Sequence, residues 1–172
     1  MFEPQKIIFK FIKKKYIKNK SIKIYNQAIS DKKNRQILYI NKHDLTSSLS
    51  KIDKKNRYLN FKALLFGGSI NDMVKKKSKV NSSKLSAIIK KSKIRKIDLL
   101  KIDTEGHELQ VLKGTGSFLK KNVNYMLIEI HNSDIFLNYD SKKIHNYLKK
   151  NQFIFMKVFK FHFTTFEDSI YQ

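Results

Sequence analysis

Ile97-Asp98-Leu99-Leu100-Lys101-Ile102-Asp103-Thr104-Glu105-Gly106-His107-Glu108 is the stretch on which the fold turns. Ile97, Leu99, Leu100 and Ile102 make its first half a buried-type strand that ends at Asp103. The second half then presents three carboxylates, Asp103, Glu105 and Glu108, at the carboxyl end of that strand, where open α/β sheets bind ligands. Gly106 permits close approach of another group to the backbone. A plainer reading is equally open on spacing alone: the acids decorate the first turn of the next helix, where negative charge gains about 0.3–1 kcal/mol.

Downstream, Glu108, Leu109, Val111, Leu112, Phe118 and Leu119 have helical spacing, broken or ended near Gly114 and Gly116. Gly114-Thr115-Gly116 lacks the third glycine of a nucleotide loop and reads as a helix stop. A strand over Tyr125–His131 follows, and the two-residue spacing of Glu129 and His131 points both to one sheet face. The two most apolar strands are expected to be neighbours, with the Asp103 strand central. Carboxylates and an imidazole would then converge as a general-base site or a weak metal site, and no metal ligand set is assigned. Ser141–Lys150 reads as a helix carrying Ile144, Tyr147 and Leu148 on one face, and 153–161 and 164–171 as strands.

Upstream the signal is weaker. Ile8, Phe11, Ile12 and Tyr16 predict a basic amphipathic helix over about 5–19, packed on the core through its apolar side. Ser21–Ile29 and Gln36–Ile40 alternate as strands, and Leu85, Ile88 and Ile89 mark a short helix. Between 41 and 83, rich in Ser, Asn and Lys, only loops with one or two short strands are expected. Helices and strands alternate overall, as in an α/β sheet protein.

The 172 residues fit one domain, and the absence of cysteine excludes disulfide scaffolds, cysteine-based zinc sites and thiol catalysis. Apolar runs such as Tyr125–Ile128 fall far short of the ~18 residues that span a bilayer, and no clean secretion signal opens the chain, so a cytoplasmic protein is expected. The net charge of +23 invites a nucleic-acid reading. Yet arginine, the residue that reads guanine edges, occurs only at 35, 57 and 95. Lysine comes instead with abundant Ile, Asn, Phe and Tyr, residues with A/T-rich codons. Genome composition explains that bias more readily than a nucleic-acid surface.

The segment Ile97–Glu108, with Val111-Leu112-Lys113-Gly114 and Leu127-Ile128-Glu129-Ile130-His131, resembles the FkbM family of S-adenosylmethionine-dependent methyltransferases. Phe2-Glu3-Pro4 resembles the family's second strand, Asn26–Asp31 its adenine-side loop, and Thr46-Ser47-Ser48-Leu49 its internal pattern. The resemblance implies a Rossmann-like class I methyltransferase sheet with helices on both faces. It implies S-adenosylmethionine as cofactor, with Glu3 holding the ribose and Gln27 and Ala28 bordering the adenine. Asp103 and Glu105 would line the reacting end, and His131 would accept a proton. The acceptor would be a hydroxyl of a saccharide or natural product. In the family a first strand and a glycine-rich cofactor loop precede the position of Phe2, so the resemblance further implies an N-terminally shortened domain that lacks the first strand and binds the cofactor weakly or not at all. The rival reading is a nonenzymatic, lysine-rich binder of polyanions.

Overall fold

In a computed structural model, which describes residues 1–42, 47–65, 67–131, 134–161 and 164–172, the chain is a mixed α/β protein. Its described strands form two four-stranded sheets where one was expected. The first contains β1 (Ala28–Ile29), β2 (Asn34–Asn41), β3 (Ser47–Ser48) and β4 (Val74–Ser83), in the order β1-β4-β2-β3. The second contains β5 (Ile97–Ile102), β6 (Val123–His131), β7 (Phe155–Lys160) and β8 (Phe166–Tyr171), in the order β5-β6-β8-β7. The helices are α1 (Lys6–Lys15), α2 (Arg57–Leu65), α3 (Leu85–Lys91), α4 (Glu108–Thr115), α5 (Phe118–Asn122) and α6 (Ser141–Lys150).

Alternation along β6 explains the division of labour in the second sheet. Met126, Ile128 and Ile130 are fully buried in the main core with Val111 and Leu112 of α4, Leu119 of α5 and Ile144 and Leu148 of α6. Glu129 and His131 therefore leave the strand on the opposite face. A run of apolar residues at helical spacing thus fixes which side of β6 carries polar chemistry.

β5 pairs in parallel with β6, so the expected neighbours are neighbours. It is not central, however: among the described strands it has one partner and forms an edge. Only Ile102 of β5 is buried, and Leu99 is 58% exposed, so its apolar run reflects one covered face and not two.

Ser21–Ile29 is also not a continuous strand. Tyr25 makes an isolated parallel bridge to Phe2, with Glu3 N–H donating to Tyr25 O at 3.0 Å, and only Ala28–Ile29 then pairs with β4. Pro4 ends the first pairing because it has no N–H to donate.

The weakly patterned middle holds more order than its composition suggests, namely α2 and the ten-residue β4. β4 is kept extended by antiparallel pairing with β2 from Asn34↔Ser82 to Asn41↔Val74. In α1, Ile8, Phe9 and Ile12, with Tyr16 just after the helix, are half-buried, whereas Phe11, roughly a third of a turn away, is 68% exposed and Ile7 is 82% exposed. The expected core helix is a surface helix with no fully buried residue.

Candidate active site

The turn from β5 into α4 separates the three acids into different roles. Glu108, the first residue of α4, is fully buried. Its Oε1 accepts from Thr104 N at 3.1 Å, Thr104 Oγ1 at 2.9 Å and Gly106 N at 3.1 Å. Glu108 thus organises the helix start, and burial pushes its carboxyl above the ordinary range. Asp103 projects outward and pairs with Lys101 Nζ at 3.2 Å.

Glu105 is held in the left-handed region at φ 54° and Gly106 at φ 87°. For a non-glycine residue that conformation costs about 1–3 kcal/mol and persists only where neighbours fix it. Here the fixing groups are two hydroxyls: Ser48 Oγ donates to the Glu105 carbonyl, and Ser50 Oγ donates to the Gly106 carbonyl at 2.7 Å. Opposite, the Phe136 ring fills the space a Gly106 side chain would need.

These contacts aim Glu105 across to β6. His131 Nε2 lies 3.6 Å from Glu105 Oε2 and 3.6 Å from Glu129 Oε1. His131 is 4% exposed, and neither ring nitrogen has a hydrogen-bond partner among the described residues. Its ring is fixed by edge contacts with Phe136 at 5.0 Å, Tyr139 at 5.7 Å and Phe166 at 6.2 Å. Its backbone N–H donates to Tyr139 Oη at 2.9 Å.

Burial lowers the His131 imidazole to about 4 against the opposing pull of Asp103, so it is neutral at pH 7. Burial, then the like charges of Asp103, Glu105, Asp168 and Glu108, raises the Glu129 carboxyl to about 8. One proton is therefore held by Glu129 beside a neutral imidazole.

Of the residues expected from sequence, the structure brings Glu105 and His131 together beside Glu129, while Asp103, paired with Lys101, acts on His131 and Glu129 through its charge. Glu3, Gln27 and Ala28 form a second group. Asn26 Nδ2 donates to Glu3 O at 2.9 Å and Pro4 O at 3.2 Å, and Gln27 Oε1 accepts from Ser83 Oγ at 3.2 Å. Ala28 is buried in β1 opposite Ser82. Glu3 is half-buried, its carboxyl raised by that burial, and Oε1 accepts from Gln5 N at 2.6 Å.

The two groups are connected through Ser30. Its Oγ lies 2.9 Å from His107 Nε2, and its carbonyl packs where a side chain on Gly114 would stand. Of the Thr46–Leu49 pattern, Thr46 lies outside the described residues; Ser48 has the positioning role just given.

Sequence reasoning missed Asp168. It stands directly across from Glu129 in the β6–β8 register, with Oδ1 buried and unpartnered among the described residues. No local signal marks it, since Asp168 stands between Glu167 and Ser169 in a mixed strand. It also missed a cavity of about 760 Å³ bordered by Tyr39, Lys51, Lys54, Lys55 and Lys75–Lys77. Ile52 and Leu137 also border it, adjoining the Ser48–Ser50 and Phe136 contacts of the site. Lysines from separate sequence runs therefore meet around this cavity, with Asp53 among them.

A parallel strand pair with carboxylates and imidazole at its carboxyl end defines an α/β protein with an enzyme-like site. The chain belongs to the family of the methyltransferase FkbM domain, whose model matches residues 1–155. It is similar to the hexuronic acid methyltransferase AglP of Haloferax volcanii, with 41% identity over 44 residues. That match covers 26% of this chain and 18% of AglP. No solved structure matches the chain significantly. Among the described residues no helix is long and apolar enough to cross a membrane.

Proposed function

We propose that the chain transfers a methyl group from S-adenosylmethionine to a hydroxyl of a saccharide or natural-product acceptor, on a Rossmann-like sheet. The reading rests on one observation above all. In a member of a methyltransferase domain family, Glu105, Glu129 and His131 meet at the carboxyl ends of two neighbouring parallel strands, with the charge of Asp103 close by.

The donor set beside Ser30 fits the cofactor. Glu3 offers a half-buried carboxylate to accept from ribose hydroxyls, while Gln27 and Ala28, on the segment tethered by Asn26, would border the adenine. S-adenosylmethionine supplies the methyl group, released as its carbon–sulfur bond breaks. Asp103 and Glu105 line the acceptor side. In the metal-free protein His131 Nε2 receives the hydroxyl proton, and Glu105 across the site stabilises the imidazolium. Phe136 and Tyr139 keep water from that nitrogen.

The lysine-bordered cavity supports an anionic acceptor, and AglP's own name refers to a hexuronic acid. The test is methyl transfer from isotopically labelled S-adenosylmethionine to glucuronic acid and to glucose, with cofactor binding followed by calorimetry. Incorporation favouring the acidic sugar, with cofactor affinity reduced in Glu3→Ala, is expected. Absence of both cofactor binding and methyl incorporation would sink the reading.

A further inference from the structure

Glu105 from the β5–α4 turn and Glu129 and His131 from β6 place one ligand atom each within 4.8 Å of one another. We propose that these three side chains form a divalent-cation site with two carboxylate oxygens and one imidazole nitrogen as protein ligands.

Three features carry the assignment. First, His131 Nε2 is 3.6 Å from an oxygen of each carboxylate, too long for a hydrogen bond. It is close to the ~3–3.5 Å that separates adjacent ligands on a cation with bonds of about 2.1 Å. Second, this nitrogen is buried, aimed between the two acids, and without a hydrogen-bond partner among the described residues. A buried polar atom is ordinarily satisfied, and a cation would satisfy it. Third, the ligands arrive from fixed elements. The Ser48 and Ser50 hydroxyls hold the Glu105–Gly106 turn, three aromatic rings hold the imidazole, and Glu129 is in the part of β6 paired with β8.

Across the strand register, Asp168 adds a third acid to the neighbourhood, so a dication also relieves repulsion that a single proton relieves less well. Mixed oxygen and imidazole donors suit a first-row ion such as Mn²⁺. A cation there would coordinate an acceptor hydroxyl and make it easier to deprotonate.

The site does not depend on methyl transfer, so it is tested without cofactor or acceptor. Chelator-stripped full-length protein is titrated with Mn²⁺, following the free-ion signal by electron paramagnetic resonance and the nitrogen coupling of the bound ion by pulsed methods. One Mn²⁺ per chain with imidazole nitrogen coupling is expected. Affinity should fall about 10- to 100-fold in Glu105→Gln and Glu129→Gln, and His145→Ala should bind as the parent does. Glu105 is part-exposed, so Glu105→Gln keeps the test usable if Glu129→Gln does not fold. Absence of saturable binding, binding without nitrogen coupling, or binding undiminished in Glu105→Gln would each overturn the assignment. None of these outcomes touches the methyl-transfer reading.

Discussion

Ser30 Oγ and His107 Nε2, separated by 77 positions in the chain, lie 2.9 Å apart in a buried contact between the end of β1 and the start of α4. The contact joins the segment proposed to border the cofactor to the turn that carries Glu105. It also has a thermodynamic signature. Burial lowers the His107 imidazole from its ordinary 6.5 to about 4, outweighing Asp31. Below pH 6.5 the unfolded chain takes up a proton that the folded chain refuses until about pH 4, so stability is lost as pH falls through that window. The loss approaches on the order of 3 kcal/mol. Denaturant midpoints at pH 7, 5.5 and 4 should fall more steeply for the parent than for His107→Gln. Parallel pH profiles would show that His107 is not the group responsible.

Gly106→Ala is expected to be costly out of proportion to one methyl group. The new carbon would strike the Phe136 ring and the residue would have to keep φ 87°. Together these effects should destabilise by about 2–4 kcal/mol. Because Phe136 also packs on His131, methyl transfer should fall further than the loss of folded protein explains. Thermal midpoint and initial rate, measured on the same sample, separate the two losses.

The roles of the three acids in the β5–α4 turn can be separated by substitution. Glu108→Ala leaves the Thr104 and Gly106 amides without their acceptor and should cost about 2–4 kcal/mol; Glu108→Gln keeps an acceptor oxygen and should cost less. Asp103→Asn and Glu105→Gln, which keep shape but remove charge, should lower turnover at least tenfold with thermal midpoints nearly unchanged. Had all three acids merely decorated the helix start, all three sets of variants would lose modest stability and keep turnover.

The contrast between Glu108 and Glu105 also shows where sequence reading stops. β6 and α6 are legible because their apolar residues repeat at sheet and helix periods, and α6 begins and ends at Ser141 and Lys150 as expected. β4 is not, because Lys75, Lys76, Lys77 and Lys79 hide any period; its extended form comes from pairing with β2, a partner distant in sequence. Asp103, Glu105 and His131 were visible as a cluster because they end two recognisable strands. Asp168 was not, since only the β6–β8 register brings it opposite Glu129. Nor does spacing distinguish an acid bonded to its own turn from one that crosses to the next strand. That distinction depends on the serine hydroxyls that hold Glu105 at positive φ.

The last expectation concerns the +23 charge, which a rival reading makes the function itself. Lys13–Lys15 lie in α1, Lys75–Lys77 in β4 and Lys90–Lys96 from the last turn of α3 to the start of β5, and the second run joins other lysines around a cavity. With three arginines in the whole chain there is little bidentate base recognition to be had. Polyanions should therefore bind without sequence preference, and their affinity should fall steeply between 50 and 200 mM salt, by roughly 10³-fold if six or so phosphates are contacted. A small anionic sugar seated in the Lys51–Lys77 cavity should compete with a polyanion for those lysines, and Lys51→Ala with Lys76→Ala should weaken both. The measurement is a salt titration with two unrelated DNA sequences, repeated in the presence of glucuronic acid. Tight binding that survives physiological salt and prefers one sequence would make the lysine surface, and not the acidic cluster, the functional centre of the chain.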